Sequence, residues 1–186
     1  MEKLLIVRHG QTEGDGSFKG NSQVQLSEEG VHTLFLVGKI LEAMRYEPDV
    51  ILSSTYPRAI QSALLLNNQE GPQYKMTEFD EVNVGNLVGK KAAIQLDEYD
   101  RNAAKNGAET SQEALARVKS GLDYLADLPF KKGIAVSHSM LMTLLYAFTD
   151  KAQGLPETQT MYNGCGFWLE FHPKLRITEL FPDPID

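Results

Sequence analysis

The sequence predicts a three-layer α/β fold, a mostly parallel central sheet covered by helices on both faces. Two observations carry the prediction. A short continuous apolar run at 4–7 and the segments 50–54 and 133–137, each with an apolar stretch, read as buried central strands, which parallel sheets require. Segments with helical apolar spacing alternate with them, in the order β-α-β-α-(irregular)-α-β-α-β-β. The length of 186 residues fits one domain spanning 1–186 and is enough to bury a sizeable core.

The elements follow in order. Leu4, Leu5, Ile6 and Val7 form the first strand, which ends at Arg8-His9-Gly10. Gly10, Gly14, Gly16 and Gly20 mark a loop. Ser27 is an N-cap, with Glu28 and Glu29 in the first helical turn. Leu34, Val37, Leu41 and Met44 then repeat at helical spacing. The second strand, at 50–54, turns through Thr55-Tyr56-Pro57 into a helix with Pro57 at its first position. Ala59, Ile60, Ala63, Leu64 and Leu66 are that helix's apolar positions. Residues 67–107 are the least regular part, with a short helix near 92–103. Thr110-Ser111-Gln112-Glu113 matches a capping box before Leu115, Val118, Leu122 and Leu125. The third strand runs into His138-Ser139, followed by a helix at 140–148. Two strands, 166–171 and 175–180, close the chain around a turn at His172-Pro173-Lys174.

Composition excludes several classes. Hydrophobic residues make up 42% and charged residues 23%, which is globular and not disordered. The single cysteine, Cys165, rules out an internal disulfide framework and a zinc ribbon. A net charge of −7 without a basic run argues against nucleic acid and anionic membranes as partners. No stretch approaches the roughly 18 apolar residues of a membrane span. The lone thiol and the short N-terminal apolar run favour a cytoplasmic location. No exposed apolar stripe stands out, so the oligomeric state is unreadable.

Three strands end in polar residues that are unusual together: Arg8-His9, Ser53-Ser54 with Arg58 just beyond, and Ser137-His138. In a parallel sheet, ligands sit beyond the carboxyl ends of the strands. If the three strands are neighbours, two histidines and two arginines converge there. The guanidinium fork suits phosphate oxygens, and helix N-termini behind Arg58 and His138 would add backbone donors. Histidine is the side chain best able to act as a neutral nucleophile near pH 7. The constellation points to phosphoryl transfer through a phosphohistidine.

The same residues resemble the histidine phosphatase superfamily, also called the phosphoglycerate mutase-like family. Arg8-His9-Gly10, continued by Gln11-Thr12-Glu13, matches its signature. Leu26-Ser27-Glu28-Glu29-Gly30 and the stretch at 53–63 are similar to further family segments. Asp80-Glu81-Val82-Asn83-Val84-Gly85 resembles the segment with the catalytic acid, and Val136-Ser137-His138 the one with the second histidine. The resemblance implies a phosphoglycerate mutase-like fold. It makes His9 the nucleophile and Glu81 the general acid and then base. Arg8, Arg58 and His138 become the groups that hold the phosphoryl oxygens. With so much fixed positive charge, and no obvious cluster of hard-metal carboxylates, neither a metal nor a cofactor is expected.

The chain departs from the family pattern in places. Gly14-Asp15 stands where the family often has Trp-Asn, Lys19 where a small polar residue is usual, and Ser139 where Gly often follows the second histidine. Asp15, Lys19 and Ser139 are therefore candidate substrate contacts. Lys90-Lys91 reads as a solvated pair, His32 and His172 as surface residues, Trp168 as core, and Cys165 as a small half-buried residue. The first expectation is a phosphatase for small phosphomonoesters, alpha-ribazole phosphate among the possible substrates. The alternatives are a phosphoglycerate-type mutase, a phosphohistidine-protein phosphatase, and a weakly catalytic member that binds phosphorylated ligands. The short interval between Arg58 and His138 favours phosphatase over mutase, because family mutases generally carry longer insertions there.

Overall fold

The structure is a computed structural model that describes residues 1–13, 23–67, 73–89, 96–157 and 159–182. In chain order the elements are β1 (Lys3–Arg8), α1 (Glu28–Ala43), β2 (Val50–Ser53), α2 (Pro57–Leu66), β3 (Tyr74–Lys75), α3 (Leu96–Asn106), α4 (Ser111–Ala126), β4 (Lys132–Ser137), α5 (Ser139–Phe148), β5 (Gly166–Glu170) and β6 (Arg176–Phe181). Two 3-10 turns, Thr77–Phe79 and Gly85–Leu87, lie between β3 and α3.

The six strands form one sheet in the order β3-β2-β4-β1-β5-β6. The pairs β3/β2, β2/β4 and β4/β1 are parallel, and β5 runs antiparallel to both β1 and β6. The sheet is thus mostly parallel, as the buried runs predict. Alternation along β1 divides the core. Leu4 and Ile6 face one layer with Val50, Leu52, Ala135 and residues of α4 and α5. Leu5 and Val7 face the other, with Ile51, Ile134 and residues of α1 and α2. Helices therefore cover both faces, and the three layers follow from the period-two side-chain pattern of β1.

Capping matches the sequence signals. Ser27 Oγ accepts from Gly30 N–H, and Thr110 and Glu113 form a reciprocal capping box. α1 must come very close to the residue after His9. A Cβ at Gly10 would lie 2.6 Å from Gly30 O, and a Cβ at Gly30 would lie 2.0 Å from Gln11 O. Only glycine at both positions lets the start of α1 seat against the end of β1.

Several details differ from the sequence reading. β3 is only two residues long, too short for any periodicity to reveal, and pairs at the edge of β2. The short helix runs Leu96–Asn106, a few residues later than expected. Met44 is the C-cap of α1 and is 51% exposed, not a core position. Together with Val31, Phe35, Leu36 and Ile40 it forms an exposed apolar surface along α1. The sequence concealed that surface, because apolar residues on both flanks of the buried face blur the amphipathic pattern. His32 and His172 are exposed, and Trp168 is buried, as expected. Among the described residues no helix is long and apolar enough to cross a membrane.

Candidate active site

The carboxyl ends of β2, β4 and β1 are adjacent, so the residues that leave them meet. His9 follows β1, His138 follows β4, and Arg58 lies in the first turn of α2 after β2. The His9 and His138 rings stand edge to face, with centroids 5.1 Å apart. Arg58 Nε lies 3.3 Å from His9 Nε2. His9, Arg58 and His138 are all buried.

The backbone at His9 is pinned on three sides. Its N–H donates to Ser137 O at 3.0 Å, its carbonyl accepts from Asn163 Nδ2 at 2.8 Å, and Gly10 N–H donates to Ser62 Oγ at 3.1 Å. The ring is oriented as well. His9 Nδ1 lies 2.7 Å from Gly10 O, and a carbonyl can only accept, so Nδ1 carries the proton. Nε2 then holds the lone pair, facing Arg58. Burial, joined by the charges of Arg58 and then Arg8, pushes His9 down to about 3 against the smaller opposing pull of the Gly10 carbonyl. The imidazole is thus neutral at pH 7, as a nucleophile must be.

His138 is oriented by a different network. Its Nε2 lies 2.7 Å from Ser54 Oγ. Ser54 donates its one proton to Asp80 Oδ1 at 2.7 Å and accepts from Tyr56 N–H at 3.1 Å. Towards His138 it can therefore only accept, so Nε2 is protonated and Nδ1 faces away from Ser54. Complete burial, then His9, Arg58, Arg8 and Arg117, hold His138 well below its ordinary range. The Tyr56 ring sits 5.1 Å from the His138 ring, and the Arg58 guanidinium 4.9 Å from the Tyr56 ring.

Arg8 Nη1 donates to Met161 O at 2.8 Å. Arg8 Nε and His138 Nδ1 are both buried without a hydrogen-bond partner among the described residues. Leaving such atoms unsatisfied costs about 1–3 kcal/mol each. An anion with several oxygens, placed among the two arginines and His138, would accept from Arg8 Nε, and from His138 Nδ1 once that nitrogen carries a proton. Burial lowers both guanidiniums from their ordinary value, and the nearby charge of Glu81 opposes that shift in each.

Glu81 occupies the start of α5. Its Oε1 accepts from Leu141 N–H at 2.9 Å and Val82 N–H at 3.0 Å, and its Oε2 from Met140 N–H at 3.2 Å. This corrects one expectation. The sequence predicts α5 amides as donors to a phosphate, but two of them, Met140 and Leu141 N–H, are committed to the Glu81 carboxylate. At α2 the nearby amides are also used, Tyr56 N–H on Ser54 Oγ and Ala59 N–H on Tyr56 O.

Ser139 Oγ donates to Met161 O at 3.3 Å, which places it beside the carbonyl that Arg8 holds. Asp15, Lys19, Lys90 and Lys91 lie outside the described residues. Cys165 sits just before β5 and burial pushes its thiol up, which suits the reading that it is not a nucleophile. The sequence marks Ser54 as a polar strand end without giving it a partner, and Asp80, Ser62, Asn163 and the Arg117–Glu109 pair are functional neighbours it does not single out. Asp80 lies directly before Glu81, and that adjacency was the available signal. Arg117, within an amphipathic helix, gave none. Among the described residues no group of three or more His, Cys, Asp or Glu side chains could hold a metal ion.

The sheet order, with its buried histidines at the ends of β1 and β4, defines a phosphoglycerate mutase-like α/β protein. The chain belongs to the histidine phosphatase superfamily (branch 1), which it matches over residues 4–182. It is 35% identical over 111 residues to 2,3-bisphosphoglycerate-dependent phosphoglycerate mutase of Rhizobium etli, covering 56% of this chain and 53% of that protein. It is 32% identical over 105 residues to phosphoglycerate mutase 1 of Saccharomyces cerevisiae, covering 53% of this chain and 42% of that one. The chain therefore spans about half the length of the curated relatives it matches. Among solved structures, a mycobacterial glucosyl-3-phosphoglycerate phosphatase superposes with TM-score 0.74 at 23% identity, covering 95% of this chain and 97% of that chain. The alpha-ribazole phosphatase of Shigella flexneri gives 0.75 at 20%, covering 94% and 95%. At these identities the likeness establishes the fold.

Proposed function

We propose that residues 1–186 form one catalytic domain, a cytosolic phosphatase that hydrolyses small phosphomonoesters through a phosphohistidine on His9. The observation that carries the reading is the state of His9. Its Nδ1 is tied to Gly10 O and its neutral Nε2 faces the Arg58 guanidinium. A phosphoryl group held by Arg8, Arg58 and His138 would present its phosphorus to that lone pair.

In the first step a bond forms between His9 Nε2 and phosphorus while the phosphorus–ester oxygen bond breaks. Glu81, entering as the acid, gives its proton to the departing oxygen. In the second step the Glu81 carboxylate takes a proton from water. The water oxygen bonds to phosphorus, the phosphorus–nitrogen bond breaks, and inorganic phosphate leaves. The two guanidiniums offset the charge on the equatorial oxygens throughout, so no metal is required in this reading. Support for the Glu81 role is that its carboxyl accepts from the Met140 and Leu141 amides of α5, the helix that follows His138, and that it lies close enough to Arg8 and Arg58 to interact with both charges.

A test assays purified protein on an aryl phosphate with a chelator present, alongside His9→Ala. Turnover that survives the chelator and is lost in His9→Ala supports the reading. Failure to hydrolyse any member of a panel of sugar phosphates, nucleotides, glucosyl-3-phosphoglycerate and alpha-ribazole phosphate would sink it. A phosphoglycerate-type mutase is the second reading, favoured by the mutase relatives. Phosphate transfer between positions of a phosphoglycerate, faster than its hydrolysis, would put that reading first.

A further inference from the structure

We propose that Asp80 is a positioning residue for both halves of the site, fixing His138 through Ser54 and fixing the peptide that carries Glu81. The Asp80 carboxylate accepts from Ser54 Oγ at 2.7 Å, from Thr55 N–H at 2.7 Å and from Thr55 Oγ1 at 2.8 Å. It thereby ties the residue before Glu81 to the two residues that follow β2. Its own carbonyl is held by Arg117 Nη1 at 3.1 Å. Asp80 is thus fixed at both its side chain and its backbone, and Glu81 follows it directly.

The reach to His138 runs through one hydroxyl. Ser54 gives its proton to Asp80, which makes its oxygen a stronger acceptor for His138 Nε2–H. His138 Nδ1 is the ring atom left for a ligand. To donate to a phosphoryl oxygen, Nδ1 must gain a proton, so the ring becomes positive as the anion binds. The charged and titratable groups around the ring are Arg8 and His9 at the end of β1, Tyr56 and Arg58 at the start of α2, and Arg117 on α4, while the Glu81 carboxylate is held by the Met140 and Leu141 amides of α5. The three arginines and His9 oppose a positive His138. Asp80 is the carboxylate hydrogen-bonded through Ser54 to the far side of the ring, so it favours the protonated form. A bound phosphoryl group and Asp80 then flank the imidazolium from its two nitrogens.

The kinetic consequence rests on the phosphohistidine reading, whereas the state of His138 can be read without turnover. The chain has four histidines, so side-chain nitrogen spectra of protein labelled in histidine are tractable. Spectra are recorded against pH with and without saturating inorganic phosphate, for the unaltered chain, Asp80→Asn and Ser54→Ala. Without phosphate, His138 of the unaltered chain is expected neutral with the proton on Nε2. With phosphate it gains a proton on Nδ1. Asp80→Asn lowers the pH at which the phosphate-bound ring loses that proton by roughly one unit. The alkaline limb of kcat, which reports the substrate complex, moves the same way. Ser54→Ala breaks the same link and produces the same direction of shift, which keeps the test open should Asp80→Asn not fold. A titration unchanged in both variants, with activity reduced evenly at every pH, would overturn the proposal. So would a His138 that takes up no proton when phosphate binds the unaltered chain. Absent turnover with the predicted titration intact would remove the phosphatase reading and leave the Asp80 assignment standing.

Discussion

Arg58 Nε points at His9 Nε2 across 3.3 Å, with both side chains buried. The guanidinium faces the atom that would carry the phosphoryl group, so it repels a proton there and attracts the group's oxygens. Arg58→Ala should lower kcat on an aryl phosphate by about 100- to 1,000-fold, the usual cost of one donor aimed at developing charge. It should also raise the pH at which His9 titrates, because Arg58 is the leading charge holding that histidine neutral. Steady-state kinetics and a histidine titration check both. Activity within tenfold of the unaltered chain would contradict the role.

Glu81 reaches the site from a loop yet is anchored on the amides of α5. If it protonates the leaving oxygen, its importance scales with how poorly that oxygen departs. Glu81→Gln should slow alkyl phosphates by about 100- to 10,000-fold and activated aryl phosphates much less. Comparing the two substrate classes decides the matter, since equal losses would contradict the acid role.

Arg117 grips the peptide leading to Glu81. Its Nη1 bonds the carbonyls of Thr77, Glu78 and Asp80, and its Nε and Nη2 pair with Glu109 at 2.8 Å each. Glu109 in turn accepts from Asn83 N–H at 3.2 Å, beyond Glu81. Arg117→Met should destabilise the fold by about 1–3 kcal/mol through the carbonyls it leaves behind. It should also lower kcat more than it raises KM, because Arg8, Arg58 and His138 stay in place. Urea denaturation and kinetics together check this. A raised KM with kcat unchanged would assign Arg117 to substrate binding instead.

The two buried histidines make stability depend on pH. In the folded chain His9 takes a proton only near pH 3, whereas its ordinary value is 6.5. Between those values the unfolded chain binds more protons, so acid favours unfolding. His138 shifts in the same direction. The contribution of His9 is whole above about pH 6.5 and is lost as the pH falls toward 3, at up to about 1.4 kcal/mol per pH unit, and His138 adds to the fall in the same direction. Urea midpoints measured in phosphate-free buffer should fall from pH 7 to 4.5, and His138→Gln should flatten the fall. An unaltered chain whose midpoint holds constant over that range would contradict the buried neutral state.

The strand-end residues were legible because a continuous apolar run that stops at Arg8-His9 or at His138 has few structural explanations. Parallel pairing of β1, β2 and β4 then brought them together, as the sheet rule requires. Arg58 was legible from Pro57 at the first helical position. The seat of Glu81 was not, because it depends on a contact 60 residues away in sequence, with Leu141 N–H. Arg117 stayed hidden for a related reason. An arginine within an amphipathic helix looks solvated until a loop folds over it. The apolar surface of α1 was concealed by residues such as Met44, whose spacing fits the core while the chain has already turned away.

The central claim is that His9 carries the phosphoryl group between the two steps. The most direct measurement mixes enzyme and a phosphomonoester for a single turnover, quenches in alkali and locates the phosphate by mass spectrometry. The account predicts one phosphoryl group per chain, on His9, stable to alkali and labile to acid, and absent in His9→Ala. Turnover at the steady-state rate with His9 unmodified would contradict it.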